Sequence, residues 1–212
     1  MRDYWVVLGK VLVQDYLILD TFFMKNTLVP LAFAILFSCE NAPTKQPGIP
    51  YSEALKRCEP VKKADIITFD GDCVNGAALP VFSATDMHGK AWTQDSFKGK
   101  FWLLNFWFVE CKPCLDEMPD LIGLSEKWPN GSFEIVGICR NDRARVEQFL
   151  TKTPLPYPIL PDCEQIADDV FQNPFGYPAS YLIDENGVIV DVFDALKAGN
   201  ADYQKLVRTI EN

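Results

Sequence analysis

Apolar and polar positions alternate along the chain in a way that predicts strands separated by helices. Residues 101–108 (Phe-Trp-Leu-Leu-Asn-Phe-Trp-Phe) and 133–139 (Phe-Glu-Ile-Val-Gly-Ile-Cys) are almost continuously apolar, which is typical of strands that are covered on both faces. Between them, residues 113–128 carry apolar side chains at helical spacing and run into a Pro-Asn-Gly turn. The pattern therefore predicts a strand–helix–strand unit at the centre of the chain.

The second half of the chain continues this alternation. The predicted elements are a helix at 142–152, a strand at 157–160, a short helix at 164–171 and a closing helix at 201–210. Residues 179–184 and 188–193 flank an Asn-Gly pair, which is the strongest short hairpin signal. The order of strands and helices indicates an α/β fold with a mixed sheet and helices on both faces.

The N-terminal part of the chain has the pattern of a targeting segment. Lys25 precedes a ten-residue apolar run at 28–37, which is shorter than the roughly 20 residues that cross a bilayer as a helix and matches the apolar core of a signal peptide. The run leads into Leu36-Phe37-Ser38-Cys39, which resembles a bacterial lipobox. We expect residues 24–38 to be a lipoprotein signal peptide and Cys39 to carry the lipid. A short buried helix that ends in Ser-Cys is the alternative.

The segments on either side of this signal define the expected domain organisation. Residues 1–23 are either an over-extended reading frame or an N-terminal extension. Residues 39–76 are expected to form a tether, Pro-rich and polar at 40–50, and a pre-domain segment. An ordinary unstructured terminus is the alternative for the tether. Residues 77–212 contain the predicted strands and helices and form the main domain.

Composition and charge narrow the functions that this chain can have. The 212 residues include 20 Lys and Arg against 29 Asp and Glu, for a net charge of −9. A nucleic-acid partner is not expected, because phosphate binding needs clustered cations. The chain has seven Cys but one His. A single His argues against His-dependent catalysis and against a Cys/His metal site, and we expect no metal.

The chemistry is expected at Cys111-Lys112-Pro113-Cys114, which follows a predicted buried strand and begins a predicted helix. A thiolate at a helix N-terminus has a lowered pKa, because it lies near the positive end of the helix dipole and near free backbone N–H groups. We predict that Cys111 is an exposed nucleophile and that Cys114 is the resolving thiol. Lys112 should favour the thiolate modestly, and Glu110 should oppose it. Half a zinc site or a structural pair is the alternative, but a zinc ribbon needs a second Cys-x-x-Cys or a His pair.

With this motif the sequence resembles a known family. Residues 105–114 (Asn-Phe-Trp-Phe-Val-Glu-Cys-Lys-Pro-Cys) and the following Glu117-Met118-Pro119 resemble the active-site segment of thioredoxin-like proteins, in particular of the TlpA/ResA-type thiol–disulfide oxidoreductases in the redoxin (AhpC/TSA-like) superfamily. Residues 79–90 are similar to the opening hairpin of that family, and residues 176–187 to its cis-proline segment. The resemblance spans 77–212 and implies a thioredoxin-like fold, with a mixed central sheet, helices on both faces and an N-terminal β-hairpin extension.

The resemblance also implies how a substrate would be held. Pro178 would be cis and would face Cys111, which would expose the backbone of Tyr177 for pairing with a substrate segment as an added strand. Lys112 and Pro113, between the two cysteines, would complete the contact surface.

Two positions depart from the family pattern. Glu110 stands where the family usually has Trp immediately before the first Cys, so the usual docking surface and reduction potential are not carried over. Asn105 stands where thioredoxin keeps a buried Asp for proton transfer, although TlpA-type proteins often have Asn there too, and an uncharged Asn cannot act as a base for Cys114. The proton must then pass to water or to another carboxylate, for which Glu110 and Glu117 are the candidates.

Four further cysteines allow three pairings. We favour Cys58–Cys73, which lie 15 residues apart in the pre-domain segment, together with Cys139–Cys163, which the resemblance implies are close together. Two buried free thiols are the alternative for the second pair.

The function implied by the resemblance is reduction of protein disulfides in the bacterial cell envelope. The enzyme would be tethered to a membrane by a lipid on Cys39, would face the periplasm or the exterior, and would receive electrons from a membrane reductase. The dithiol would itself be the redox centre, so no organic cofactor is expected.

Three alternatives share the same fold. A peroxiredoxin-like peroxidase would want a Pro-x-x-x-Thr-x-x-Cys segment, and Phe108 stands in place of that Thr. A copper-delivery protein would have Cys-x-x-x-Cys and a downstream His, whereas His88 is upstream. A non-catalytic binding module would keep its function after loss of both motif cysteines.

Overall fold

The structure is a computed structural model, and it describes residues 48–63, 66–128 and 131–211. The expectations for the N-terminal extension, for the signal peptide and for Cys39 lie outside these residues. No helix in the described part of the chain is long and apolar enough to cross a membrane.

The described strands and helices alternate along the chain. In order they are α1 (Tyr51–Leu55), β1 (Pro60–Lys63), β2 (Ile66–Phe69), β3 (Ser83–Thr85), β4 (Ala91–Thr93), β5 (Phe101–Trp107), α2 (Lys112–Ser125), β6 (Phe133–Cys139), α3 (Arg143–Leu150), β7 (Ile159–Leu160), β8 (Ala179–Ile183), β9 (Ile189–Phe193) and α4 (Ala201–Glu211). Short 3₁₀ turns cover Gly71–Val74 and Gln94–Phe97, and a π-helical turn covers Ile166–Val170.

The central sheet has the strand order β7-β6-β5-β8-β9. Strands β5, β6 and β7 are parallel, whereas β8 is antiparallel to β5 and β9 is antiparallel to β8. Both β5 and β6 are buried over nearly their whole length, as their continuous apolar runs predict. The expectation of a mixed sheet is therefore confirmed.

Successive side chains of the central strands point to opposite faces of the sheet and build two apolar clusters. The cluster on one face includes Leu103 and Trp107 and is covered by α2, α3 and α4. The cluster on the other face includes Leu104 and Phe106 and is covered by α1, the π-helical turn and the antiparallel hairpin of β3 and β4. Helical segments thus pack on both faces, as expected.

Two predicted elements are shorter in the structure. Strand β7 has only two residues, because Pro156, Pro158 and Pro161 interrupt this stretch and have no N–H group to donate to a ladder. The helix predicted at 164–171 is the π-helical turn Ile166–Val170.

The segment before residue 77 packs on the domain. Tyr51 of α1 is buried in the apolar cluster that includes Leu104 and Phe106, and its hydroxyl donates to the Phe171 carbonyl oxygen (2.9 Å). A disulfide joins Cys58 to Cys73 (Cα–Cα 5.0 Å), the pairing expected for this segment. In the chain-entropy model, closing a loop of this size contributes roughly 3 kcal/mol of stability.

Candidate active site

The two cysteines of the Cys-x-x-Cys motif lie where β5 leads into α2, and a disulfide joins them (Cα–Cα 5.2 Å). Cys111 is the N-cap of α2, and its sulfur accepts a hydrogen bond from the backbone N–H of Cys114 (3.2 Å). The helix N-terminus therefore directs a donor at the Cys111 sulfur, which would stabilise a thiolate there after reduction. Pro113 fits the first turn of α2, where its missing N–H leaves no helical bond unmade.

The exposure of the first cysteine differs from the expectation. Cys111 is 4% exposed and Cys114 is 1% exposed, so the prediction that Cys111 is an exposed nucleophile is wrong. Both cysteines belong, with Val109, to the apolar cluster between α2 and the sheet. The apolar side chains of this cluster shield them from solvent. Lys112 projects outward, with 83% of its side chain exposed, and pairs with Asp116 (2.9 Å).

The turn before Cys111 is fastened from two sides. The N–H of Cys111 donates to the Phe108 carbonyl oxygen (3.1 Å), and the N–H of Val109 donates to Oδ1 of Asn141 (2.8 Å). The Glu110 carboxylate accepts from Nδ2 of Asn141 (3.1 Å) and from Arg145 (2.8 Å). The hydrogen bonds from Arg145, and then that from Asn141, hold the pKa of Glu110 below its ordinary value.

A second carboxylate lies on the interior side of α2. Glu117 is fully buried; its Oε1 accepts from Nδ2 of Asn105 (2.8 Å) and its Oε2 accepts from the backbone N–H of Leu196 (2.8 Å). Asn105 also donates to Oγ of Ser180 (3.0 Å). Burial raises the pKa of Glu117 to about 7, although both hydrogen bonds oppose the rise. Glu117 is three residues after Cys114, one helical turn away on the same side of α2.

The Tyr177–Pro178 peptide bond is cis. It directly precedes β8, whose Ala179 pairs with Phe106 near the carboxyl end of β5. The cis proline and Cys111 therefore lie at the same end of the sheet. The ring of Tyr177 packs edge-on against Phe108 (5.3 Å between centroids), so Tyr177 adjoins the turn that leads to Cys111.

A groove of about 560 Å³ runs beside this turn. Its lining residues are Phe108, Glu110, Arg140, Asn141, Asp142, Asp162, Glu164 and Gln165. The Arg140 guanidinium lies over the rings of Phe108 and Tyr177 (5.8 and 5.6 Å to the centroids) and forms an ion pair with Glu164. The groove thus adjoins both the cis-proline segment and the residue before Cys111.

The structure overturns the expected disulfide between Cys139 and Cys163, which are buried free thiols. The two residues are neighbours, because the N–H of Cys163 donates to the Cys139 carbonyl oxygen (3.0 Å). Their thiols, however, are directed at different acceptors: Cys139 at Oδ1 of Asn141 (3.6 Å) and Cys163 at the Pro161 carbonyl oxygen (3.3 Å). Burial raises the pKa of each thiol to about 12, which keeps both protonated.

Sequence reasoning missed three residues of this site: Arg140, Asn141 and Arg145. They come from the loop after β6 and from α3, about thirty residues beyond the motif. Because β5 and β6 are parallel, their carboxyl ends meet at one edge of the sheet, where sites of α/β proteins are usually built. The position of these polar residues, directly after the second buried strand, could therefore have been used to predict them as site residues from the sequence.

Comparisons with known proteins agree with this fold. Residues 75–192 match the model of the AhpC/TSA family. The thioredoxin-like protein YneN of Bacillus subtilis is 34% identical over 135 residues, which are 62% of this chain and 78% of that protein. The thiol–disulfide oxidoreductase ResA of Bacillus anthracis is 34% identical over 118 residues, which are 55% of this chain and 67% of that protein. The thioredoxin domain of a thiol–disulfide oxidoreductase from Bacteroides vulgatus has a TM-score of 0.56 at 23% identity and covers 64% of this chain and 97% of its own. The fold is thioredoxin-like, and the chain belongs to the AhpC/TSA family.

Proposed function

We propose that this thiol–disulfide oxidoreductase reduces disulfide bonds of proteins, with Cys111 and Cys114 as its redox pair. The observation that carries the proposal is the disulfide at the N-terminus of α2. The Cys111 sulfur accepts a hydrogen bond from the Cys114 N–H (3.2 Å), and the cis Tyr177–Pro178 bond lies at the same end of the sheet. The two sulfurs carry the two electrons themselves, so the reaction calls for no organic cofactor or metal.

The reaction begins with the reduced enzyme. The Cys111 thiolate attacks one sulfur of the substrate disulfide, a mixed disulfide forms, and the other substrate sulfur leaves as a thiolate. Cys114 then loses its proton and attacks the Cys111 sulfur. The Cys111–Cys114 disulfide forms, the second substrate sulfur leaves, and two protons complete the substrate dithiol.

The proton of Cys114 needs an acceptor within the protein, because Cys114 is buried. Glu117 lies one turn away, and its pKa of about 7 allows both of its protonation states near neutral pH. Glu110 is the weaker candidate, since its hydrogen bond with Arg145 lowers its pKa and keeps it ionised. Asn105 has no charge to offer and instead orients the Glu117 carboxylate (2.8 Å).

The substrate surface lies around the cis proline. A substrate segment would pair with the backbone of Tyr177 as an added strand, and the exposed Lys112 and Pro113 would flank it on the α2 side. The groove beside Phe108 continues this surface and gives room for residues next to the substrate cysteine.

Trapping of a mixed disulfide tests the mechanism. A reduced Cys114→Ser variant keeps the nucleophile but lacks the resolving thiol, so it should accumulate a covalent adduct with insulin that dithiothreitol releases, as seen by mass spectrometry. A Cys111→Ser variant should form none. Cys163→Ser is the matched control, since it removes a buried thiol outside the motif and should keep wild-type turnover. Insulin reduction by the Cys111→Ser variant at the wild-type rate, or an adduct on Cys111→Ser as abundant as that on Cys114→Ser, would show that the mechanism is wrong.

We also infer that the enzyme works at the bacterial cell envelope, held by a lipid on Cys39 and re-reduced by a membrane reductase. The apolar run at 28–37 and the lipobox-like sequence support the anchor. The Cys58–Cys73 disulfide suits an oxidising compartment. A Cys39→Ser variant should leave the membrane fraction of cells that express it, and its retention there would contradict the anchor.

A further inference from the structure

Asn141 holds the turn that presents the nucleophile, although it lies outside the motif. The hydrogen bond from the Cys111 N–H to the Phe108 carbonyl oxygen (3.1 Å) makes Val109 and Glu110 the central residues of a turn. Val109 is buried, so its N–H needs a partner within the protein. Oδ1 of Asn141 is that partner (2.8 Å).

The other side-chain atom of Asn141 binds the second central residue. Its Nδ2 donates to Oε2 of Glu110 (3.1 Å), while Nε and Nη2 of Arg145 both donate to Oε1 of the same carboxylate (2.9 and 2.8 Å). The carboxylate that stands next to Cys111 in sequence is therefore bound on the side of α3. Both polar atoms of Asn141 thus act on the same turn.

The backbone of Asn141 is itself anchored. Its carbonyl oxygen accepts from the N–H of Asp162 (2.8 Å), and the preceding Arg140 N–H donates to the Trp107 carbonyl oxygen (3.2 Å). These bonds tie the loop after β6 to the end of β5 and to the segment after β7. Because the backbone of Asn141 is held in place, its side chain can hold the turn before Cys111 in one position.

We propose that Asn141 is a positioning residue for thiol–disulfide exchange, which acts by bonding the Val109 amide and the Glu110 carboxylate at once and so fixes the turn that presents Cys111. The inference rests on the proposed function, because it assigns the effect of Asn141 to exchange through Cys111. It predicts that the direction of the hydrogen bond between residues 141 and 110 can be reversed without loss, provided that the bond is kept.

Three substitutions separate this role from a general effect on folding. Asn141→Ala removes the bonds to Val109 and Glu110, together with the contact of the Cys139 thiol with Oδ1 (3.6 Å). Asn141→Asp keeps the shape and the acceptor for Val109 but loses the donor and sets a second carboxylate against Glu110. Combining Asn141→Asp with Glu110→Gln restores a donor–acceptor pair and the net charge of the wild-type pair. Asn186→Ala is the matched control, because Asn186 lies in the β8–β9 turn at the other end of the sheet.

Two rates measure the effect in the full-length protein: insulin reduction at steady state, and alkylation of reduced Cys111 by iodoacetamide, followed by mass spectrometry. Both rates should fall about tenfold in Asn141→Ala and at least as much in Asn141→Asp. In the Asn141→Asp/Glu110→Gln protein both should return to within about threefold of wild type. Asn186→Ala should leave both unchanged.

The inference is overturned if Asn141→Ala matches wild type, or if the double variant is no faster than Asn141→Asp. Circular dichroism at the assay temperature shows whether each variant is folded, and the nearly isosteric Asn141→Asp decides the matter if Asn141→Ala is not. Failure of the proposed function looks different: Cys111→Ser would then reduce insulin as fast as the wild-type protein, whatever residue 141 is.

Discussion

Two glutamates flank the Cys111–Cys114 disulfide, and their surroundings shift their pKa values in opposite directions. Glu110 immediately precedes Cys111, is exposed, and has its pKa lowered by its hydrogen bonds with Arg145. Glu117 follows Cys114 by one helical turn, is fully buried, and has its pKa raised to about 7 by that burial. Glutamate thus occurs twice next to the same disulfide, once on its solvent-exposed (outer) side and once on its buried (inner) side.

The difference shows that burial and hydrogen-bond partners, rather than nearness in sequence, decide what each carboxylate can do. A carboxylate that stays ionised through the neutral range takes up no proton there. A carboxylate whose pKa is close to 7 is present in both forms and can accept or return one. We therefore propose that Glu117 handles the proton of Cys114 and that Glu110 helps to position the turn before Cys111.

The largest expected effect comes from removing the titration of the buried carboxylate, Glu117. Glu117→Gln keeps the shape of the side chain but removes its titration, so insulin reduction at neutral pH should slow by about a hundredfold. In the wild-type protein the rate of the Cys114 step should rise as Glu117 ionises, between about pH 6 and about pH 8. The variant should lack that rise. Stopped-flow measurement of mixed-disulfide decay against pH checks both points.

Glu110→Gln is the matched control for that experiment, because it makes the same chemical change on the outer side. Its amide oxygen can still accept from Asn141, so the rate should change by no more than about threefold. A larger effect from Glu110→Gln than from Glu117→Gln would reverse the two roles.

The sequence pattern predicted the elements that depend on local signals. The apolar runs of β5 and β6, the Cys-x-x-Cys motif at the start of α2 and the hairpin of β8 and β9 are each contained in a short stretch. The pairing of the strands brings these stretches together in space: Trp107 of β5 pairs with Cys139 of β6, and Phe106 of β5 pairs with Ala179 of β8.

Features that depend on the direction of a side chain were not predictable in this way. The resemblance implied that Cys139 and Cys163 lie close together, and their backbones do, but the two thiols donate to separate acceptors and form no disulfide. Cys111 was expected to be exposed, yet apolar packing around the turn covers it. The raised pKa of Glu117 likewise arises from tertiary burial, which no spacing along α2 reveals.

A smaller effect of the buried carboxylate should appear in stability. The folded protein keeps a proton on Glu117 up to about pH 7, whereas the unfolded chain releases it near about pH 4. Between those values the folded state binds more protons, so its free energy of unfolding falls as pH rises. From about pH 5 to about pH 8 the loss should be roughly 2 kcal/mol.

Urea unfolding of the oxidised protein measures this loss at both ends of that range. Subtracting the same measurement on Glu117→Gln removes the contribution of the other titrating groups. A difference between the two proteins that does not change with pH would show that Glu117 has an ordinary pKa and would remove the main argument for its role in proton transfer.

The smallest expected effect concerns the exposed carboxylate, Glu110, and its contribution to stability. The ion pair between Arg145 and Glu110 (2.8 Å) joins side chains that are 43% and 53% exposed, so water and salt screen it strongly. A double-mutant cycle of Arg145→Gln and Glu110→Gln, measured by urea unfolding, should give a coupling free energy of about 0.5 kcal/mol that declines at high salt. A coupling as large as the roughly 2 kcal/mol expected for the pH effect of Glu117 would mean that the outer carboxylate is a structural anchor. A coupling free energy of only about 0.5 kcal/mol between Arg145 and Glu110, together with a measurable change in the rate of thiol–disulfide exchange in the Glu110→Gln variant, would instead show that Glu110 positions Cys111 without stabilising the fold.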